Sequence, residues 1–77
     1  MDQEMLLDHL AQAERHVAEG ATHIEHQREL IDRLREGGHD TKVAVELLDV
    51  LEQTQTGHIA DRDRIRKELR DAASKAR

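Results

Sequence analysis

Six histidines in a chain of 77 residues are the side chains with the most chemistry to offer. His9, His16 and His23 recur at a strict seven-residue spacing, His26 follows His23 by three, and His58 lies far down the chain. Imidazole binds transition metals and exchanges protons near neutral pH. Histidines seven apart on one helix are about 10 Å from each other, too far to share an ion. Only His23 and His26 have the spacing of two ligands on one helical face. An open zinc site takes three protein ligands, so the candidate metal set is His23, His26 and His58, with Glu19 as the other source of a third ligand. No HExxH run occurs, and the Glu-x-x-His pattern of di-iron bundles is matched only by Glu36 and His39, which straddle a break between helices. The competing reading makes the histidines flanking residues that pair with carboxylates across a hairpin, His16 with Asp61 and His9 with Glu68. That reading is preferred, and no metal is assigned.

Catalysis finds no residues to carry it. The chain has no cysteine, which removes disulfides, thiolate zinc sites and cysteine nucleophiles, and it has no Phe, Tyr or Trp on which to stack a base or cofactor ring. Glycine-rich phosphate loops, nucleophile elbows and paired-carboxylate pockets are absent too. The expectation is a protein that is not an enzyme, with no catalytic residue and no cofactor.

The elements that must position the histidines are written in the heptads. Leu6, Leu10, Ala13, Val17, Gly20, Ile24, Gln27, Ile31 and Leu34 alternate at spacings of four and three. Ala44, Leu48, Leu51, Gln55, His58, Arg62, Ile65, Leu69 and Ala72 repeat the pattern. The two runs are separated by Gly37-Gly38-His39-Asp40-Thr41, where glycine supplies a left-handed cap and Asp40 or Thr41 offers an oxygen to the next helix. With no proline to interrupt either run, the pattern predicts one domain over residues 1–77: a helix near 3–36, a turn at 37–40 and a helix near 41–74. Each helix is about 50 Å long, and antiparallel folding pairs residues whose numbers sum to about 77. Gly20 then lies level with Gly57, where two missing side chains leave room for close approach or for a side chain or ligand; the competing reading is local tolerance or a mild kink.

Val43, Leu47 and Val50 widen the apolar face of the second helix beyond a two-stranded seam, as a bundle requires. A lone core in so short a chain rarely supplies more than roughly 3–5 kcal/mol, and association is the usual remedy. The fold class expected is therefore all-α, an antiparallel helical hairpin dimerising into a four-helix bundle. Its apolar dimer core would be Leu10, Val17, Ile24, Ile31, Leu34, Leu47, Leu48, Leu51, Ile65 and Leu69. Gln27, Gln55, His58 and Arg62 would form a polar core layer that sets register.

Charge narrows the partners. Residues 1–60 carry 5 basic and 13 acidic side chains, and residues 61–77 carry 7 basic and 4 acidic, so a tail of +3 follows a body of −8. The tail interleaves acids with bases and is expected to pair with Asp2, Glu4, Asp8 and Glu14, which leaves little for nucleic acid. Asp2, Glu4 and Asp8 stand where an export signal would be basic and then apolar, and no apolar run reaches membrane-spanning length. A soluble cytoplasmic protein is expected, binding a second copy of itself, with its acidic face open to another protein and with no nucleic-acid or membrane partner.

Gly38-His39-Asp40-Thr41, Leu47-Leu48, Leu51-Glu52, Thr54-Gln55, His58, Arg62-Asp63-Arg64-Ile65 and Glu68-Leu69 follow His16-Val17-Ala18-Glu19-Gly20, His23-Ile24 and Gln27-Arg28. In this combination the chain resembles a group of short uncharacterised helical proteins of alphaproteobacteria of the rhizobial type, over most of residues 9–69. The resemblance implies a free-standing helical protein and brings no established activity. The function expected is that of a small homo-oligomeric interaction or scaffold protein. The alternative is a histidine-based metal-binding or pH-sensing module.

Overall fold

Local signals explain where each helix begins and stops. In a computed structural model, which describes residues 2–75, α1 spans Gln3–Glu36 and α2 spans Lys42–Lys75. Asp2 caps α1, its carboxylate accepting the Glu4 N–H at 3.1 Å, and Arg33 and Arg35 place positive charge at the negative end of the helix dipole. At the far end the His39 N–H donates to the Leu34 carbonyl at 2.8 Å and the Gly38 N–H to that of Arg35 at 3.1 Å. This pair of bonds is a Schellman cap, and it needs a left-handed residue at Gly38, whose φ is 73°. Asp40 Oδ1 then accepts the Lys42 N–H at 2.9 Å, and the Thr41 carbonyl accepts the first helical bond, from Val45, at 2.8 Å. Thr41 thus stands just before α2, which begins one residue later than its expected start at 41 and runs one residue past 74.

These caps are open to test. Gly38→Ala forces a side chain into the left-handed region and is expected to cost about 1–2 kcal/mol. Asp40→Ala removes the acceptor at the start of α2 and is expected to cost about 1 kcal/mol. Urea unfolding midpoints at a fixed protein concentration read both, and no change at Gly38 would contradict the cap.

The two helices pack antiparallel along their length, as cross-helix contacts between Glu14 and Arg66 and between Gln27 and Ala44 require. Residue numbers sum to 80 for the first pair and 71 for the second, either side of the expected 77. Every seam position named from the heptads faces the other helix at least partly buried, with Leu6, Ala13, Gln27, Ile31 and Ile65 buried most fully. Leu47 is the exception among the ten apolar core residues expected. It lies outside the seam and is largely exposed, because it sits one position off the line that meets α1.

Two helices side by side cannot enclose a three-dimensional core. The molecule measures 61 × 14 × 14 Å with a radius of gyration of 17.6 Å, against about 11.5 Å for a compact domain of this length. Its accessible surface is 5897 Å², about 1,100 Å² above the roughly 4,800 Å² that a compact monomer of this mass exposes. Among the described residues, no helix is long and apolar enough to cross a membrane.

Candidate functional site

The hairpin has two broad faces of different chemistry. One is spanned by ion pairs, Arg66–Glu14 at 3.2 Å and Arg28–Glu52 at 3.7 Å. Glu14 and Arg28 share a heptad position on α1, as Glu52, Ile59 and Arg66 do on α2, so these pairs stitch the same edge of the seam. Each is solvent-exposed and contributes about 0–1 kcal/mol, yet together they commit that face to charge.

The opposite face carries the histidines. His9, His16, His58, Asp61, Arg64 and Glu68 line a groove between the helices, which continues toward the turn along His16, Glu19, His23, Thr54 and His58. Leu30 extends the heptad of His9, His16 and His23. Leu47 extends that of Asp61 and Glu68, and Val43 and Val50 extend that of Arg64. The face therefore grades from polar near the termini to apolar near the turn, where Val43 is 77% exposed, Val50 55%, Leu47 47% and Leu30 38%.

The expected histidine–carboxylate pairs do not form. Arg64 holds both acids, Asp61 at 3.1 Å and Glu68 at 3.5 Å, because on α2 they lie three residues before it and four after it, within reach of one guanidinium. His16 meets His58 instead, with ring centroids 5.2 Å apart. His23 and His26 are exposed on α1, and the trio of His23, His26 and His58 is not assembled. Among the described residues, no group of three or more histidine or carboxylate side chains is arranged to hold an ion. Among the described residues, the pairing expected between the basic tail and the acidic start of α1 is reduced to Glu14 with Arg66; Lys67 turns to Asp71 and Arg62 to Asp63 within α2. Arg77, part of that tail, lies outside the described residues.

The polar layer is likewise not a network. Gln27 Nε2 donates to the Ala44 carbonyl at 2.9 Å and Gln55 Nε2 to the Val17 carbonyl at 2.8 Å, each crossing to the backbone of the other helix. Arg62 binds its neighbour Asp63, and His58 stands beside the His16 ring. The glutamine amides specify register one by one, since a helix shifted by a turn would leave them buried without acceptors.

Gly20 makes the Gln55 bond possible. A Cβ at Gly20 would overlap Gln55 Oε1 and stand 2.8 Å from its Cδ, whereas a Cβ at Gly57 would meet nothing within 4 Å. The expectation of space for a side chain holds at Gly20 alone, because the face of Gly57 is turned away from α1. Gln55 Oε1 is buried without a hydrogen-bond partner among the described residues, a cost accepted for the fit.

This yields a paired prediction. Replacing a helix-interior glycine by alanine ordinarily stabilises by about 1 kcal/mol. Gly57→Ala is expected to show that gain. Gly20→Ala must displace the Gln55 amide and is expected to show none of it, or a loss of up to about 1 kcal/mol. Thermal melts compare the two directly, and equal gains would refute the Gly20–Gln55 contact.

The chain matches no family model, no curated protein and no solved structure.

Proposed function

We propose that this is a small helical interaction protein that works as a homodimer, two hairpins closing their histidine-bearing faces on each other to form an antiparallel four-helix bundle. The observation that carries the reading is the surface excess of about 1,100 Å² per chain over a compact monomer, together with an exposed apolar stripe of Leu30, Val43, Leu47 and Val50 on one face. Stable interfaces bury about 800 Å² or more per partner, so the excess is of the size one such interface removes. The ion-paired face carries fewer exposed large apolar residues, Leu7 and Ile59, interspersed with the charges of Glu14, Arg28, Glu52 and Arg66.

The gradient along the face selects the arrangement. With a twofold axis parallel to the helices, turns meet at the same end, Leu30 comes level with the partner's Leu47, and His16 and His9 come level with the partner's Asp61 and Glu68. All neighbouring helices are then antiparallel, which also opposes their dipoles favourably. A reversed hairpin would lay the apolar end on Asp61, Arg64 and Glu68. The test is sedimentation equilibrium of tag-free protein at micromolar concentration, joined to distance measurement between spin labels placed on residue 36 of each copy, exposed at the end of α1. A dimer with short label separation supports the reading; a compact monomer, or labels at opposite ends, overturns it.

A further inference from the structure

We infer that His16 and His58 are one half of a transition-metal site completed by a second copy of the chain, four imidazoles enclosing one divalent ion of the zinc, nickel or copper class inside the bundle. The inference rests on the dimer proposed above. Imidazole nitrogens bind zinc at about 2.0–2.1 Å, which places each ring centroid about 3.2 Å from the ion, so two rings at the tetrahedral angle have centroids about 5.2 Å apart. The separation of His16 and His58 is 5.2 Å. Their centroid spacing thus matches that of two rings on a shared ion, with the ring planes tilted at 42°.

The neighbourhood is consistent with this use. Both rings border the open groove on the face that the dimer closes. Of the carboxylates lining the groove, Asp61 and Glu68 are engaged by Arg64, and Glu19 borders it toward the turn. His58 also occupies a half-buried seam position, where leucine would pack better and a polar group is a cost unless it has a partner. One chain offers only two ligands here, and no third converges among the described residues. Rotation about an axis parallel to the helices preserves height, so a pair straddling the groove between α1 and α2 meets its own copy and the count becomes four. Four-helix bundles build metal sites in this manner, from side chains on facing helices, and imidazole suits this class of ion.

The experiment titrates Zn²⁺, and separately Ni²⁺, into chelator-treated tag-free protein, following heat, sedimentation and thermal melting. Wild type is expected to bind one ion per two chains, to tighten its dimer at least tenfold and to gain at least about 5 °C in Tm. His16→Gln and His58→Gln should each lose that gain while staying dimeric in chelator; His23→Gln and His26→Gln should keep it. His16 is exposed, so its variant leaves the seam intact and remains informative if His58→Gln fails to fold. A wild-type dimer with no metal response, one ion per chain, or a response that survives His16→Gln overturns the site. A monomer in chelator that dimerises on half an equivalent of ion supports the site and overturns only the metal-free dimer. A monomer indifferent to metal overturns both.

Discussion

Leu47→Lys is expected to convert the proposed dimer into a monomer at micromolar concentration. In a single hairpin Leu47 is 47% exposed, so lysine there costs α2 little. In the proposed bundle it sits level with the partner's Leu30, and a twofold axis buries the new charge twice. Loss of an apolar anchor in the interface costs about 2 kcal/mol or more per copy, or roughly a thousandfold in the dimer Kd when both copies are counted. Ile59→Lys is the control, because Ile59 shares its heptad position with Glu52 and Arg66 on the ion-paired face, where a new lysine should leave association unchanged. Sedimentation of the two variants beside wild type distinguishes the faces. Monomers in both cases, or dimers in both, would remove the assignment of the histidine face as the interface. Melting temperature should also rise with concentration in wild type and lose that dependence in Leu47→Lys, since association stabilises only the folded form.

Ile65→Ala is expected to bring the largest loss of folding stability, about 2–5 kcal/mol. Ile65 belongs to the one apolar cluster near the termini, with Leu6 and Ala13, flanked by Leu10 and Leu69. Those neighbours stand on two rigid helices and cannot collapse into the space three lost carbons would leave. A chain of this size holds only roughly 3–5 kcal/mol in its own core, so a variant that also fails to dimerise should be unfolded at room temperature. Ile31→Ala, at the turn end, is expected to behave similarly, with Leu48→Ala nearer the lower figure because Leu48 is only half-buried. Urea unfolding at matched concentration measures all three. A cost below about 1 kcal/mol at Ile65 would mean that the cluster is not a core.

The resident chemistry of the chain lies in its middle, where Gln27, Gln55, His58 and Arg62 interrupt an otherwise apolar seam. Each glutamine is answered by a carbonyl of the opposite helix, so the polar positions resist sliding by a turn and leave the helices free to be held by modest apolar contacts. Register is the condition for everything proposed on the histidine face: a shift of one turn would part His16 from His58 and Leu30 from Leu47.

The linear order of residues by itself determined the two helices, the turn and the seam, down to which of Leu6, Ala13, Ile31 and Ile65 face inward. These are local consequences: a 3.5-residue apolar period can be satisfied only by one line along a helix, and Gly38 with Asp40 ends one helix and starts the next whatever surrounds them. Tertiary structure alone decided the pairings across the seam. That His16 finds His58, and that Gln55 enters the gap at Gly20 while Gly57 faces away, depend on how far one helix is slid along the other. A slide of three residues is about 4.5 Å, comparable to the reach of one side chain, so it changes which neighbours meet while leaving the heptad pattern unaltered.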